Sequence, residues 1–254
     1  MIIIKSVNEI ALMRQAGRIV ATVLHEIKER IRPGVTTLDL DQFAERQLAL
    51  LGAVSPFKGY QPAQTQRPFP GATCMSVNTE IVHGVPGKRR LRDGDILTVD
   101  CGAIHQGWIA DGAWTFTVGV ISSKAADLLD ATEKALYASI ACARAGKRTG
   151  DVAAIMQAEV EGRGYNVIRH HTSHGVGRSL HEDPQILNHG RGGTGTRLRQ
   201  GMTIALEPMV LAGNSDTKLL DDGWTVGALD GELTAHFEHT IAVTDGEAEI
   251  LTRL

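Results

Sequence analysis

The segment LRDGDILTVD at 91–100 returns 107 residues later as LRQGMTIALE at 198–207. Both copies read Leu-Arg-x-Gly-x-x-apolar-x-apolar-acid, so Asp100 of the first becomes Glu207 in the second. A further echo runs at an offset of 112, where Arg32, Gly34, Thr37, Asp39 and Gly52 recur as Arg144, Gly146, Thr149, Asp151 and Gly164. Helix–turn–helix punctuation alone could repeat by chance. Two echoes at nearly one spacing instead point to two related halves, about 1–120 and 121–254, each delivering a carboxylate from the end of an equivalent strand. Strand-like runs of about 5–10 residues mixed with helical runs of about 12–20 place the chain in the α/β or α+β class. No Pro/Ser-rich linker divides the halves, so the expectation is one domain, 1–254, whose pseudo-symmetry brings the two strand ends to a central axis.

Helix boundaries follow the same halves. Ser6-Val7-Asn8-Glu9 is a capping box ahead of Ile10, Met13, Val20, Leu24, Ile27 and Ile31 at helical spacing, and Pro33-Gly34 is expected to stop that helix. A second helix starts near Thr36 or Thr37 and ends at Gly52; a third covers 123–145 and a fourth 150–161.

Composition narrows the setting. A content of 43% hydrophobic and 22% charged residues in 254 is ordinary for a soluble globular chain with a substantial core. A net charge of −3 gives no reason to expect nucleic acid or an anionic membrane as partner. Cys74, Cys101 and Cys142 are odd in number and lack CxxC spacing, which argues against a disulfide framework and suits a reducing cytosol. MIIIK is too short for a signal-peptide apolar region, and no run approaches ~18 apolar residues. A cytoplasmic protein is expected, with no membrane contact and no direct nucleic-acid partner.

Residues 97–119, LTVDCGAIHQGWIADGAWTFTVG, read as a β-hairpin with one aspartate on each arm. A two-residue turn at His105-Gln106 would set Asp100 directly opposite Asp111, an arrangement that destabilises the hairpin by a few tenths to about 1 kcal/mol, and more if desolvated. Two further segments share the oddity. AHFEHTIAV at 235–243 places Glu238 in a strand-like run. RHHTSHGVGRSLHEDP at 169–184 holds His174 and His181 seven residues apart, so a straight strand would aim them oppositely; Gly175 and Gly177 allow a bend that turns both rings into one cavity.

A lone strand aspartate is usually an edge residue, and a lone histidine is usually structural. The joint set of Asp100, Asp111, His174, Glu207 and Glu238 is different. Four carboxylates and one imidazole carry too much negative charge to converge without cations, and a pair of divalent ions about 3.5–4 Å apart would neutralise it. Oxygen-rich ligation with one nitrogen suits Mn(II), Fe(II), Co(II) or Zn(II).

The segments SVNTEIVHGVPG (76–87), DILTVDCGAIHQGWIADGAWTF (95–116), SHGVGRSLHEDP (173–184), MTIALEPM (202–209) and FEHTIAVTDG (237–246) resemble those of type I methionine aminopeptidases. The resemblance runs from the first helix to the C-terminus and includes five ligands and two histidines in order and spacing. It implies the pita-bread fold: two pseudo-symmetric halves, a central antiparallel sheet and helices outside. It implies further that Asp111 and Glu238 bridge two metal ions, that Asp100 holds one, and that His174 with Glu207 holds the other. A water between the ions would be the nucleophile, Glu207 the proton acceptor, and His83 and His181 the substrate contacts at the scissile peptide. The implied substrates are nascent polypeptide N-termini whose second residue is small, met at the ribosome, and the implied state is a monomer. Cys74, Trp224 and Leu180 match an S1 pocket for methionine, with Phe69 and Tyr60 as neighbours; soft sulfur and aromatic walls suit a thioether. Two departures bear on pocket shape. Residues 61–69, QPAQTQRPF, are longer than the usual connection, and His171 and Ser173 stand where the family commonly has an apolar residue and Gly, with neither expected to touch the ligand set.

Other readings fail on chemistry or size. Gly177-Arg178-Ser179-Leu180-His181 lacks the second Gly of a nucleophile elbow, and Gly146-Lys147 is followed by Arg148, so no P-loop forms. A proline-specific peptidase shares fold and ligands but usually carries an extra N-terminal domain, whereas only 82 residues precede His83. A non-catalytic binding module on the same fold would be expected to have lost ligands, and all five are present.

Overall fold

Ser6 opens helix α1 (Val7–Lys28) with both bonds of its capping box: the Glu9 N–H donates to the Ser6 hydroxyl, and the Ser6 N–H donates to the Glu9 carboxylate. Thr36 and Asp39 repeat the arrangement at α2 (Thr37–Leu50). Helix α1 ends before Pro33-Gly34, which form the turn that follows rather than the stop itself. The structure is a computed structural model that describes residues 1–63, 65 and 67–254.

Strands β1 (Cys74–Val77), β2 (Glu80–Val82), β3 (Ile96–His105) and β4 (Trp108–Thr117) complete the first half. The second half begins with α3 (Ser123–Cys142), shorter at its end than the sequence suggests, and α4 (Thr149–Glu161). It continues through β5 (Asn166–Val167), β6 (Thr172–Gly175), β7 (Glu182–Leu187), β8 (Thr203–Leu206) and β9 (Met209–Leu211). The last strands are β10 (Thr217–Leu219), β11 (Val226–Ala228), β12 (Thr234–His236), β13 (His239–Ala242) and β14 (Glu249–Ile250). Pairing is antiparallel throughout the described residues, in sheets ordered β1-β3-β4, β10-β11-β2, β12-β9-β5 and β14-β13-β8-β6-β7.

The two sequence echoes fold alike. Gly34 N–H donates to the Leu91 carbonyl, and its counterpart Gly146 N–H donates to Leu198; Leu91 N–H returns to Val35 as Leu198 N–H returns to Lys147. The bridge Thr36–Arg90 in one half is Arg148–Arg197 in the other. Gly34 and Gly146 carry φ of 91° and 92°, and Gly94 and Gly201 carry 89° and 83°, so the repeated glycines mark repeated left-handed turns.

The β3–β4 hairpin turns at Gln106-Gly107, not at His105-Gln106. Both central residues have positive φ (50° and 76°), as a type I′ turn requires. His105 therefore pairs with Trp108, Gly102 with Asp111, and Asp100 with Ala113. The shift preserves parity, so both aspartates keep one face of the sheet but become diagonal neighbours rather than direct opposites. The diagonal offset does not part the side chains, whose carboxyls still come within hydrogen-bonding reach of each other.

Each half has its own core. Val20, Val23 and Ile27 of α1 pack on Leu97, Val99 and Ala110 in the first, and Leu128, Leu136 and Val152 pack on Ile204 and Ile241 in the second. Trp114 touches both cores and meets Phe237 edge-on with ring centroids 4.6 Å apart. At this seam Ala113 and Glu238 exchange both backbone hydrogen bonds, while Thr240 Oγ1 accepts from Asp111 N–H and donates to the Asp111 carbonyl. Thr115 Oγ1 likewise accepts from His236 N–H and donates to its carbonyl. The acids of the two halves meet where the halves are stitched.

Candidate metal centre

Asp100, Asp111, His174, Glu207 and Glu238 all line one cavity of ≈ 360 Å³. Asp100 and Asp111 come from β3 and β4, His174 from β6, Glu207 from the end of β8, and Glu238 from the link between β12 and β13. A bulge after His174 shifts the β6–β7 register, and the chain then turns so that the His174 and His181 rings lie 4.4 Å apart. The glycine bend expected between them is present.

Donor atoms of Asp111, His174 and Glu238 lie within 4.8 Å of one another, as do those of Glu207, His236 and Glu238. His174 Nε2 is 3.6 Å from Glu207 Oε1, while its Nδ1 meets the Gly175 carbonyl at 2.9 Å, which leaves Nε2 for the cavity. Asp100 approaches Asp111 and Cys74 instead of joining either set. Burial pushes the carboxyls of Asp100, Glu207 and Glu238 well above their ordinary range, and the Asp111 charge pushes them further. Asp111 itself is raised to about 7, chiefly by burial. The same dryness lowers His83, His174 and His236 to about 3, so these imidazoles are neutral with a lone pair to offer. Asp100 Oδ1, Glu238 Oε1 and both ring nitrogens of His236 are buried without hydrogen-bond partners among the described residues. Unpartnered oxygens and neutral imidazoles around one void are a donor set that fits divalent cations.

The remaining candidates surround that set. His83 sits at φ 59° just beyond β2, and the turn is clamped because Met75 N–H donates to the Gly84 carbonyl. Gly84 has no substitute: a Cβ there would lie 2.4 Å from the Met75 carbonyl oxygen. His181 follows a loop held by Glu182, whose carboxylate accepts from Arg178 and Ser179 N–H and pairs with buried Lys5. Tyr60 Oη meets His181 Nδ1 at 3.0 Å. Cys74, Leu180, Phe69, Trp224 and Tyr60 pack together with Phe57 as the apolar side of the cavity, where Phe69 and Trp224 meet edge-on at 5.2 Å. Asp41 fixes this wall by accepting from Ala72 N–H, Thr73 N–H and the Thr73 hydroxyl, just before Cys74. In the 61–69 loop, Gln64 and Gln66 lie outside the described residues.

Three further residues contribute: the sequence marks His171 and Ser173 for pocket shape only, and His236 passes unnoticed there. Ser173 does touch the acid set, because its Oγ accepts from the Glu207 N–H. His171 lines the cavity with its ring 5.5 Å from His83. His236 stands two residues before Glu238 in AHFEHT, and period-two alternation was the signal that could have placed it on the Glu238 face.

The acids and imidazoles share their cavity with an apolar wall, and the chain belongs to metallopeptidase family M24, which matches residues 11–245. Divalent metal use comes with that family. Within it, the similarity is to methionine aminopeptidases: the chain is 47% identical to methionine aminopeptidase 1 of Bacillus subtilis over 254 residues, 100% of both chains. The structure of methionine aminopeptidase from Thermotoga maritima matches with TM-score 0.96 and 44% identity, again over 100% of both chains. A prolidase from Pyrococcus furiosus shares the pita-bread fold at TM-score 0.79 and 22% identity, and this chain spans only 66% of it.

Proposed function

We propose that the chain is a methionine aminopeptidase that hydrolyses the bond after an N-terminal methionine when the second residue is small. Asp100, Asp111, His174, Glu207 and Glu238 hold two divalent ions, Co, Mn, Fe or Zn. The observation that carries this reading is the convergence of these donors beside a wall of Cys74, Phe69, Leu180, Trp224 and Tyr60 in one cavity. When bound, the ions supply Lewis acidity and a water that ionises near neutral pH.

The chain's own residues do the rest. The sulfur and aromatic wall takes the methionine thioether. Tyr60, donating to His181 Nδ1, leaves the Nε2–H of a neutral ring to donate to the scissile carbonyl as it gains charge. Burial keeps His83 neutral as well, so it serves as a hydrogen-bond donor rather than a fixed cation. Glu207 Oε1 and Oε2 face His174 and His236, which sets the carboxylate inside the cavity to accept a proton and return it to the leaving amine. Among the described residues no helix is long and apolar enough to cross a membrane. The same reading puts the substrates among nascent chains emerging from the ribosome in the cytoplasm, with the enzyme acting as a monomer.

The test is cleavage of Met-Ala-Ser against Met-Lys-Ser and Ala-Pro peptides, before and after complete chelation. Met-Ala-Ser alone should be cut, activity should vanish without metal, and Co(II) or Mn(II) should restore it. Full activity in metal-free protein, or preference for Ala-Pro, would refute the reading.

A further inference from the structure

His236 has no part in the assignment above, yet it is 1% exposed at the end of β12 and lines the cavity. Its backbone is pinned on both sides by Thr115 Oγ1, so the ring direction is set by the seam between the halves. Its Nε2 lies 3.4 Å from Glu207 Oε2 and 3.9 Å from Glu238 Oε2. Neither contact is an aligned hydrogen bond, and both ring nitrogens lack a partner among the described residues. A buried imidazole left this way beside two carboxylates loses its water contacts with nothing in return. Two donors each about 2.1 Å from one ion stand about 3.4 Å apart at a tetrahedral angle and about 3.9 Å apart at a wider one. The three donor atoms are spaced as ligands of a common ion.

We propose that His236 Nε2 is a nitrogen donor to the ion held by Glu207 and Glu238, which gives the centre two imidazoles, His174 and His236. The inference rests on the dinuclear reading above and extends it to metal choice. A second imidazole favours Zn(II), Fe(II) and Co(II) over Mn(II) and Mg(II), which prefer all-oxygen sites.

The experiment titrates metal-free wild type, His236→Gln and His236→Ala with Co(II), reading each binding step by calorimetry and the visible Co(II) absorption, with circular dichroism to confirm folding. Wild type should take up two ions. Both variants should bind one of them more than about 100-fold more weakly, beyond the 10–100-fold that loss of a hydrogen-bonding partner behind a ligand costs, with an altered Co(II) spectrum and a reduced preference for Zn(II) over Mn(II). If His236 only donated a hydrogen bond to Glu207, the Gln variant would keep a donor and recover wild-type binding, which would overturn the proposal. Should both variants fail to fold, the Co(II)-loaded wild-type crystal decides: an ion about 2.1 Å from His236 Nε2 supports the proposal, and one beyond about 3 Å overturns it. Wild type that binds no Co(II) would defeat the dinuclear reading and this inference together. Two normal binding steps with unchanged spectra in the Gln variant would defeat this inference alone.

Discussion

Two histidines with ring centroids 4.4 Å apart differ in what engages their Nδ1 atoms. His174 Nδ1 is engaged by the neighbouring Gly175 carbonyl, which fixes the ring with Nε2 toward Glu207. His181 is engaged at Nδ1 by Tyr60, which comes from the apolar wall. Replacing His174 with Ala should therefore remove a donor, weaken metal binding and lower the rate as a consequence, and excess metal should rescue it in part. Replacing His181 with Ala should leave metal stoichiometry near wild type and cut kcat by roughly 10²–10⁴, the usual contribution of one positioned donor. Calorimetry with single-turnover rates at saturating Co(II) separates the two; loss of metal in His181→Ala with retention in His174→Ala would reverse the roles.

At the scale of elements, the loop that presents Leu180 and His181 is held from beneath by Lys5 and Glu182, whose side chains are 1% and 5% exposed. Lys5→Met leaves the Glu182 carboxylate buried without its cation. Removing one partner of such a pair should cost about 3–5 kcal/mol in denaturant unfolding, and the loosened loop should lower kcat with both metals still bound. Lys5→Met combined with Glu182→Gln should recover much of the stability, since the amide oxygen can still accept from Arg178 and Ser179. Equal losses in the single and double variants would show that the pair is not coupled. Neither Lys5 nor Asp41 was legible in the sequence, because each acts through contacts 177 and 31 or more residues away. Local and repeated signals fared better: the capping box at Ser6, the two echoes and the parity of the hairpin were all readable from residue types at fixed spacings. The hairpin's turn was misplaced by one residue because His105-Gln106 and Gln106-Gly107 differ only in which residue must accept a positive φ. Gly107 decides it, and the register moved by an even number, so the acids stayed on the predicted face.

For the whole molecule, the seam joins two hydrophobic cores through a cluster of acids, so metal and proton binding there act on the stability of both halves. Without metal, the raised carboxyls hold protons that the unfolded chain has already released above its ordinary carboxylate range. Each stabilises the fold while protonated, and that contribution is lost as pH climbs through its folded pKa, about 7 for Asp111. His83, His174 and His236 act in the opposite direction. Their pKa values near 3 mean that the unfolded chain takes up protons below 6.5 that the fold refuses, so their contribution is lost as pH falls from 6.5 toward 3. The two trends oppose each other between about pH 4 and 6.5, and above 6.5 only the carboxyl loss remains. Four carboxyls outweigh three imidazoles through most of that window, so metal-free protein should melt highest at about pH 4 to 5 and lose stability toward pH 8. Divalent metal should reverse that decline, because cations favour the ionised carboxylates. At 100 times its dissociation constant, a single ion adds about 2.7 kcal/mol, which for a chain of this size raises Tm by about 5–10 °C. Melting curves from pH 4 to 8, with chelator and with Mn(II) or Co(II), check both trends. A metal-free Tm that rises steadily to pH 8, or one that ignores metal at pH 7.5, would mean that the acid cluster is not what ties the halves together.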